Sequence, residues 1–210
     1  MEINSYNKFC SYQYVSRETY EKFEIFHMTL LKWQSSINLI SRSSTIDIWT
    51  RHILDSAQLY DFTKEINGNI LDMGSGAGFP GIILAMMGNK KINVVESDQK
   101  KCVFMGEVAR LSNTKIKIHN SRIEDLEYLD PDLITSRALA PLDKLIKYSE
   151  MHMNKKIIGA KKNPIMLFLK GKLYNEEIKK LKKIRKIEYK IYPSITNEYG
   201  KILYIHNVSK

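Results

Sequence analysis

The feature that most constrains the fold of this chain is a glycine-rich turn that directly follows a short apolar strand. The strand is predicted over residues 69–73, and glycines then stand at alternate positions, Gly74, Gly76 and Gly78. Glycine allows positive φ and lets the backbone approach a ligand without an intervening Cβ. An apolar segment that begins at Pro80 predicts a helix, since proline suits the first helical turn. A strand, a glycine turn and a helix in this order predict a nucleotide-type pocket.

Two registers of this turn imply different ligands. The pattern G-x-G-x-x-G over residues 76–81 satisfies the dinucleotide fingerprint of a NAD(P)-dependent Rossmann oxidoreductase. An acidic residue, Asp72, followed by G-x-G-x-G over residues 74–78 is instead typical of methyltransferases that use S-adenosylmethionine (AdoMet). Asp72 favours the second register, because a carboxylate at the strand end suits a cationic, amino-acid-bearing ligand better than a pyrophosphate. Pro80 also lacks one of the N–H groups that a helix N-terminus offers to a pyrophosphate.

A second acidic residue strengthens the prediction of a pocket. The predicted strand over residues 92–96 ends in Glu96. An acid about 20 residues beyond the glycine turn is placed to accept hydrogen bonds from both ribose hydroxyls of a nucleotide ligand. The alternative for Glu96 alone is a solvated strand end. Taken together, the motifs make the following residues candidates for cofactor binding: Asp72, Gly74, Gly76, Gly78 and Glu96.

Strands and helices are predicted to alternate after Gly68, which is typical of a mostly parallel sheet. The strands are expected over residues 69–73, 92–96, 115–119, 133–136 and 165–169. Helices are expected over residues 80–87, 98–111, 141–152 and 175–186. Two further alternating stretches, 187–192 and 202–208, are expected to add an antiparallel hairpin at the edge. The predicted fold is therefore α/β, a Rossmann-like, seven-stranded sheet.

The first third of the chain is predicted to form a helical cap. On this interpretation residues 1–66 make the cap, and residues 67–210 make the AdoMet-binding domain. Apolar residues at helical spacing predict one helix over residues 16–34. Ser44 and Asp47 form a capping-box pattern, which predicts the start of a second, continuous helix.

The chain carries an excess of positive charge, with 33 Lys and Arg against 23 Asp and Glu among its 210 residues, a net charge of +10. Such an excess favours a polyanionic partner such as nucleic acid. The alternative is compositional, because chains rich in Lys, Ile and Asn are common in AT-rich genomes. A basic run over residues 179–186 is interpreted either as a solvated helix face or as an RNA contact.

Cysteine usage and hydropathy bear on compartment and partners. Cys10 and Cys102 cannot form a disulfide framework and lack the spacing of metal ligands. Apolar runs stay well short of the roughly 18 residues that span a bilayer. The N-terminus lacks the pattern of a signal peptide. These features predict a cytoplasmic protein with neither a metal nor a membrane partner.

Several blocks of sequence resemble those of the GidB/RsmG methyltransferases, which make 7-methylguanosine in the 530 loop of 16S rRNA. The resemblance extends over nearly the whole chain. Many methyltransferases share the glycine turn, whereas the blocks RHILDS, SRA and LKG are more specific. The matching blocks are residues 37–40 (INLI), 51–56 (RHILDS), 71–81 (LDMGSGAGFPG), 121–124 (SRIE), 136–138 (SRA) and 169–171 (LKG).

The resemblance implies a class I AdoMet-dependent methyltransferase that acts on 16S rRNA or on a small-subunit assembly intermediate. The protein is expected to be a monomer. It implies that Gly74 and Phe79 touch AdoMet and that Ile123 and Glu124 flank its adenine. It places Arg137 beside the methionine end. Guanine N7 carries a lone pair and no proton, so direct in-line attack on the methyl group needs no general base.

The basic residues are therefore expected to anchor RNA and cofactor. Arg137 is expected to position the reactants, either by pairing with the methionine carboxylate or by hydrogen-bonding the guanine edge; the alternative is a structural ion pair. Asn38, Arg51 and His52 are expected to contact RNA from the cap, although an isolated histidine is more often structural. Lys170 is expected either to contact a phosphate or to be solvated.

Two other functions stay open at this point. The first glycine register supports a NAD(P)-dependent Rossmann oxidoreductase. A vestigial pocket on a basic protein would suit a non-catalytic rRNA-binding assembly factor. Retention of NADH without AdoMet affinity would favour the oxidoreductase, and tight RNA binding without AdoMet affinity would favour the assembly factor.

Overall fold

The computed structural model describes residues 3, 5–153 and 163–209. Within these residues, seven strands form one sheet in the order β3-β2-β1-β4-β5-β7-β6. In this sheet β7 is antiparallel to both of its neighbours, β5 and β6, and the other paired strands are parallel. The strands are β1 (Ile70–Met73), β2 (Ile92–Glu96), β3 (Lys117–Asn120), β4 (Leu133–Arg137), β5 (Ile165–Lys170), β6 (Lys186–Pro193) and β7 (Lys201–Ser209). The predicted seven-stranded α/β sheet with an antiparallel hairpin at its edge is confirmed.

Helices connect the strands and precede the sheet. They are α1 (Tyr6–Cys10), α2 (Arg17–Gln34), α3 (Asp55–Ala57), α4 (Tyr60–Thr63), α5 (Gly81–Met86), α6 (Gln99–Leu111), α7 (Leu142–Met151) and α8 (Tyr174–Leu181). The predicted elements of the main domain are all present; β2 has the predicted bounds, and the ends of the others are shifted. In particular, β3 begins at Lys117 rather than at residue 115, and α8 ends at Leu181 rather than at residue 186.

The sheet lies between two layers of helices because successive side chains of each strand point to opposite faces. One face packs against α7 and α8, and its buried residues include Leu71, Ile134, Phe168, Ile146 and Ile178. The other face packs against α5, α6 and the N-terminal helices. Its buried residues include Ile70, Val94, Ile82, Phe104 and, from α2, Phe23 and Phe26. The cap and the sheet therefore share one apolar core.

The second cap helix differs from its prediction. Residues Arg42–Asp47 form a 3₁₀ helix and residues Trp49–Leu54 form a π-helical turn before α3 begins. The predicted N-cap at Ser44 is wrong, because its hydroxyl donates to a backbone carbonyl. The capping acceptor is Asp47, whose Oδ1 accepts from the backbone N–H of Thr50 at 3.0 Å. A π-helical turn of this kind is frequent at functional sites, and here the RHILDS block runs from this turn into α3.

Candidate functional site

A cavity of about 430 Å³ lies at the carboxyl ends of β1, β2 and β4. Ligands of open α/β sheets bind at this edge. The structure brings most of the predicted cofactor-binding residues together there. Those that line the cavity are Gly74, Gly76, Phe79, Glu96, Ile123, Glu124 and Arg137. Asp72 and Gly78 are the two predicted residues that do not line it.

The glycine turn forms the wall of this cavity with a backbone that requires glycine. Gly74 and Gly76 have φ values of +66° and +58°, in the left-handed region. A Cβ at Gly74 would lie 2.4 Å from Leu139 Cδ1, so a side chain there would displace its neighbour. A Cβ at Gly76 would meet no atom within 4 Å, so open space lies beside this residue.

Glu96 holds the glycine turn and the start of α6 in place. Its Oε2 accepts from the backbone N–H of Gly76 at 3.0 Å, and its Oε1 accepts from that of Asp98 at 2.8 Å. Each carboxylate oxygen has further acceptor capacity. The side chain can therefore accept ligand hydroxyls while it keeps these two bonds.

Asp72 lies beneath the turn instead of facing the cavity. Its side chain is fully buried, and Oδ2 accepts from the hydroxyl of Ser75 and from the backbone N–H of Gly81 at 2.9 Å. Oδ1 is buried with no hydrogen-bond partner among the described residues. Burial raises the pKa of Asp72 to about 6, although the bonds to Ser75 and Gly81 oppose that rise. The sequence predicts that Asp72 contacts the ligand. In the structure its carboxyl group instead holds the glycine turn in place from beneath.

Ile123 and Glu124, predicted to flank an adenine, follow β3 in a 3₁₀ turn on the cavity wall. Glu124 Oε1 accepts from the hydroxyl of Tyr148 at 2.7 Å, and this bond lowers the pKa of Glu124. Tyr148, on α7, also lines the cavity. Tyr148 could not be predicted from the sequence, because only the folded chain brings α7 against the turn after β3.

Arg137 is the centre of a polar cluster at the end of β4. Its Nη1 donates to the carbonyl of Arg51 at 2.8 Å and to Asp55 Oδ2 at 3.3 Å, and its Nη2 donates to His52 Nδ1. The guanidinium lies 4.9 Å from the ring centroid of Phe79, on which the His52 ring also stacks. A structural ion pair was the alternative role predicted for Arg137, and the structure shows such a pair with Asp55. Arg137 also lines the cavity.

His52 is held in its neutral form by this cluster. Burial, followed by the charges of Arg137 and Arg51, lowers its pKa to about 3. Because Nδ1 accepts from Arg137, the ring proton is assigned to Nε2. Nε2 is buried without a hydrogen-bond partner among the described residues. A histidine with so low a pKa is a poor general base near neutral pH.

Asp55 links the Arg137 cluster to the loop between β6 and β7. Its Oδ1 accepts from Thr196 Oγ1 at 2.6 Å and from Gln58 Nε2 at 2.9 Å. Gln58 Oε1 in turn accepts from the backbone N–H of Ile195 at 2.9 Å. This network could not be predicted from the sequence, because Asp55 and Gln58 lie far along the chain from Ile195 and Thr196. The network fixes the position of Arg137 from the cap and from the hairpin loop together.

A second cavity of about 550 Å³ adjoins the first. It is bounded by the cap, the end of β5 and the loop between β6 and β7, and it shares His52, Arg137 and Ala138 with the first cavity. Of the residues predicted to contact RNA, Arg51, His52 and Lys170 line it. Asn38 is exposed and lines neither cavity.

Lys170 has a different environment from the one its sequence context suggests. Its side chain is 9% exposed, and Nζ lies 2.6 Å from Glu177 Oε2 on α8. It also donates to the carbonyl of Ala140 at 3.1 Å. The side chain is therefore neither solvated nor free to meet a phosphate in this structure.

The described residues contain no group of three or more His, Cys, Asp and Glu side chains that would hold a metal ion. In the same part of the chain, no helix has the length and apolar character that crossing a bilayer requires.

Solved methyltransferases share the fold at low sequence identity. The ribosomal protein L11 methylase from Lactobacillus delbrueckii subsp. bulgaricus superposes with a TM-score of 0.57 at 18% identity, over 72% of this chain and 75% of that one. TYW2 from M. jannaschii, solved in complex with AdoMet, gives a TM-score of 0.53 at 14% identity, over 74% and 76%. These similarities establish the Rossmann-like methyltransferase fold.

Sequence comparison goes further than the fold. The chain is 41% identical over 196 residues to ribosomal RNA small subunit methyltransferase G of Paramagnetospirillum magneticum, which covers 93% of this chain and 92% of that protein. It is 40% identical over 196 residues to the protein of the same name from Rickettsia prowazekii, with 93% and 98% covered. The family model for GidB, rRNA small subunit methyltransferase G, matches residues 19–202. The chain that carries these two adjoining cavities therefore belongs to the GidB family of rRNA small subunit methyltransferases.

Proposed function

We propose that this rRNA methyltransferase transfers the methyl group of AdoMet to N7 of a guanine in the 530 loop of 16S rRNA. The product is 7-methylguanosine, formed by direct in-line displacement without a general base. The observation that carries the proposal is the pair of adjoining cavities that share His52 and Arg137. One cavity suits the methyl donor, and the other suits the nucleotide that receives the methyl group.

The first cavity suits AdoMet, on which this family depends. Its volume lies within the roughly 300–1,000 Å³ that is usual for small-molecule sites. The Glu96 carboxylate would accept the ribose hydroxyls, and Ile123 with Glu124 would flank the adenine. The glycines of the turn let the backbone pass close to the methionine portion. When bound, AdoMet supplies a methyl group on a positively charged sulfur.

The residues around the shared wall suit a nucleophile that has no proton to lose. His52 is neutral and weakly basic, and its Nδ1 is occupied by Arg137. The charge of Arg137 is balanced by Asp55. A guanine methylated at N7 becomes cationic, so a paired arginine repels the product less than an unpaired one would. The chain's contribution is alignment, with the reacting atoms held about 3–3.5 Å apart.

The oxidoreductase interpretation is supported less well. Dinucleotide-binding sheets have the parallel order 3-2-1-4-5-6, whereas here the antiparallel β7 lies between β5 and β6. The third glycine of the dinucleotide register, Gly81, gives its backbone N–H to Asp72 inside the turn. That donor is therefore turned away from a pyrophosphate.

Methyl transfer from labelled AdoMet tests the proposal. Unmethylated small ribosomal subunits and naked 16S rRNA would each be incubated with the protein, digested to nucleosides and separated. We expect label in 7-methylguanosine alone, and none with the control variants Gly74→Asp and Gly76→Asp. Label in another nucleoside would contradict N7 as the acceptor. RNA binding without any transfer or AdoMet affinity would favour the assembly factor.

A further inference from the structure

The second cavity adjoins the cavity that is proposed to hold AdoMet. It shares the side chains of His52 and Arg137 with the first cavity, so ligands in the two would meet across these residues. Its volume of about 550 Å³ is in the usual range for a site that encloses a small molecule. Hydroxyl groups contribute to its lining, from Ser41, Ser44 and Ser194.

Positive charge exceeds negative charge around this cavity. The acidic residues in its lining, Asp55 and Glu177, are both engaged, with Arg137 and Lys170 respectively. The lining also contains three cations that form no ion pair with any described residue, namely Arg51, Lys172 and Lys201. An occupant that carries negative charge would balance them.

The three unpaired cations come from three different elements that line the cavity. Arg51 lies in the π-helical turn of the cap, Lys172 follows β5, and Lys201 begins β7. Backbone carbonyls hold two of them, since Arg51 Nη1 donates to Ser43 at 2.9 Å and Lys201 Nζ donates to Glu198 at 3.0 Å. Uncharged acceptors of this kind leave the positive charge available.

An exposed aromatic ring stands beside this group of cations. Tyr199 is 56% exposed, and Lys172 Nζ lies 5.7 Å from its ring centroid. Basic side chains interleaved with exposed aromatics are typical of surfaces that bind single-stranded RNA, where bases stack on the rings. This feature favours an RNA segment over a small anion as the occupant.

We infer that the second cavity receives the target nucleotide of a single-stranded RNA segment, and that Arg51, Lys172 and Lys201 bind the phosphates on either side of it. The inference rests on the proposed function and deepens it. The sequence predicted a phosphate contact at Lys170, but this lysine is paired with Glu177. The phosphate contact near the end of β5 is therefore assigned to Lys172.

Neutralising the two lysines tests the inference against a matched control. The double variant Lys172→Gln/Lys201→Gln removes two charges at the cavity. The control Lys90→Gln/Lys117→Gln removes two exposed lysines at the opposite, amino-terminal edge of the sheet. Affinity for 16S rRNA would be measured against salt concentration, together with KM and kcat for methyl transfer and the Kd for AdoMet.

For the cavity variant we expect a log–log salt slope that is smaller by about 1.4–1.8, since each lost phosphate contact removes about 0.7–0.9. KM for RNA should rise, while kcat and the Kd for AdoMet stay at wild-type values. Lys172→Arg/Lys201→Arg should restore the slope, and the control should leave it unchanged.

An unchanged slope in the cavity variant, or an equal change in the control, would overturn the inference. Its failure is distinguishable from failure of the proposed function. If wild-type protein methylates no RNA, the proposed function fails, whatever the slopes are. If wild-type protein methylates RNA and the cavity variant keeps its slope, only the present inference fails.

Discussion

Arg137 donates a hydrogen bond from Nη2 to Nδ1 of His52, and both side chains lie against the ring of Phe79. Because arginine stays protonated and His52 stays neutral, the pair keeps one arrangement of protons at neutral pH. Both side chains line both cavities. Its position depends in turn on Asp55, which balances the arginine charge from the cap.

Asp55→Asn is expected to destabilise the protein and to slow methyl transfer. The side chains of Arg137 and Asp55 are only 16% and 18% exposed, so the variant leaves a mostly buried cation without its partner. Breaking such a pair costs about 3–5 kcal/mol, and urea titration would measure the loss. Glu107→Gln is the matched control, because its pair with Arg110 lies on the surface and contributes little. Equal stability of the two variants would mean that the Arg137 pair behaves as a surface pair.

His52 is expected to make the protein less stable as pH falls. Its pKa is about 3 in the folded state, mainly through burial, against 6.5 for an ordinary histidine. Between these values the unfolded chain binds a proton that the folded chain does not. Stability from this residue is therefore complete above about pH 6.5 and falls by about 1.4 kcal/mol per pH unit below it. Urea titrations at several pH values should show a shallower dependence for His52→Asn than for the wild type.

Asp72 is expected to contribute with the opposite sign. Burial raises its pKa from 3.8 to about 6, so between these values the folded state holds a proton that the unfolded state has lost. Its contribution to stability is present below pH 3.8 and is lost as pH rises toward 6. In the wild type this contribution partly offsets the loss of stability that His52 causes as pH falls. Asp72→Asn lacks the offset, so its stability should fall more steeply than that of the wild type between about pH 6 and pH 4. A dependence identical to that of the wild type would show that Asp72 is ionised in the folded protein throughout this window.

Local sequence patterns predicted most of the sheet. The apolar runs and their spacing placed β2 at Ile92–Glu96 and the glycine turn directly after β1, because strand periodicity and positive φ are properties of short segments. Glu96 was predicted to lie at the cavity for the same reason, since the carboxyl ends of adjacent parallel strands share one edge. The family blocks then identified Arg137 as a residue of the site.

Partners that are distant in sequence could not be predicted in this way. Asp55 and Thr196 are separated by 141 positions, and their hydrogen bond depends on how the cap meets the hairpin loop. Lys170 looked like a free lysine after a strand, because nothing in the sequence states that Glu177 of α8 turns back toward it. Asp72 was expected to face the ligand, yet the turn folds over it and gives it the N–H of Gly81.

Gly76→Ala is expected to weaken AdoMet binding while the protein still folds. An alanine at φ +58° is strained by about 1–2 kcal/mol, but its methyl group meets no atom and so occupies open space at the cavity wall. Gly106→Ala is the control. Gly106 lies in α6 and does not line the cavity, and a Cβ there would lie 3.8 Å from Ile118 Cδ1 of β3, an ordinary contact. Calorimetry should give a weaker Kd for the first variant and an unchanged Kd for the second. Wild-type affinity in Gly76→Ala would place the cofactor away from this turn.

Lys170→Gln is expected to lower stability and to leave RNA binding unchanged. The substitution leaves Glu177 without its cation in a mostly buried position, which costs about 3 kcal/mol or more. Since Lys170 is occupied by Glu177 and by the carbonyl of Ala140, it is not available to a phosphate. Urea titration and the salt dependence of RNA affinity would be measured on the same preparation. Glu177→Gln should be about as unstable as Lys170→Gln, because it breaks the same pair. A salt slope smaller by about 0.7–0.9 in Lys170→Gln, with unchanged stability in both variants, would instead make Lys170 a phosphate contact.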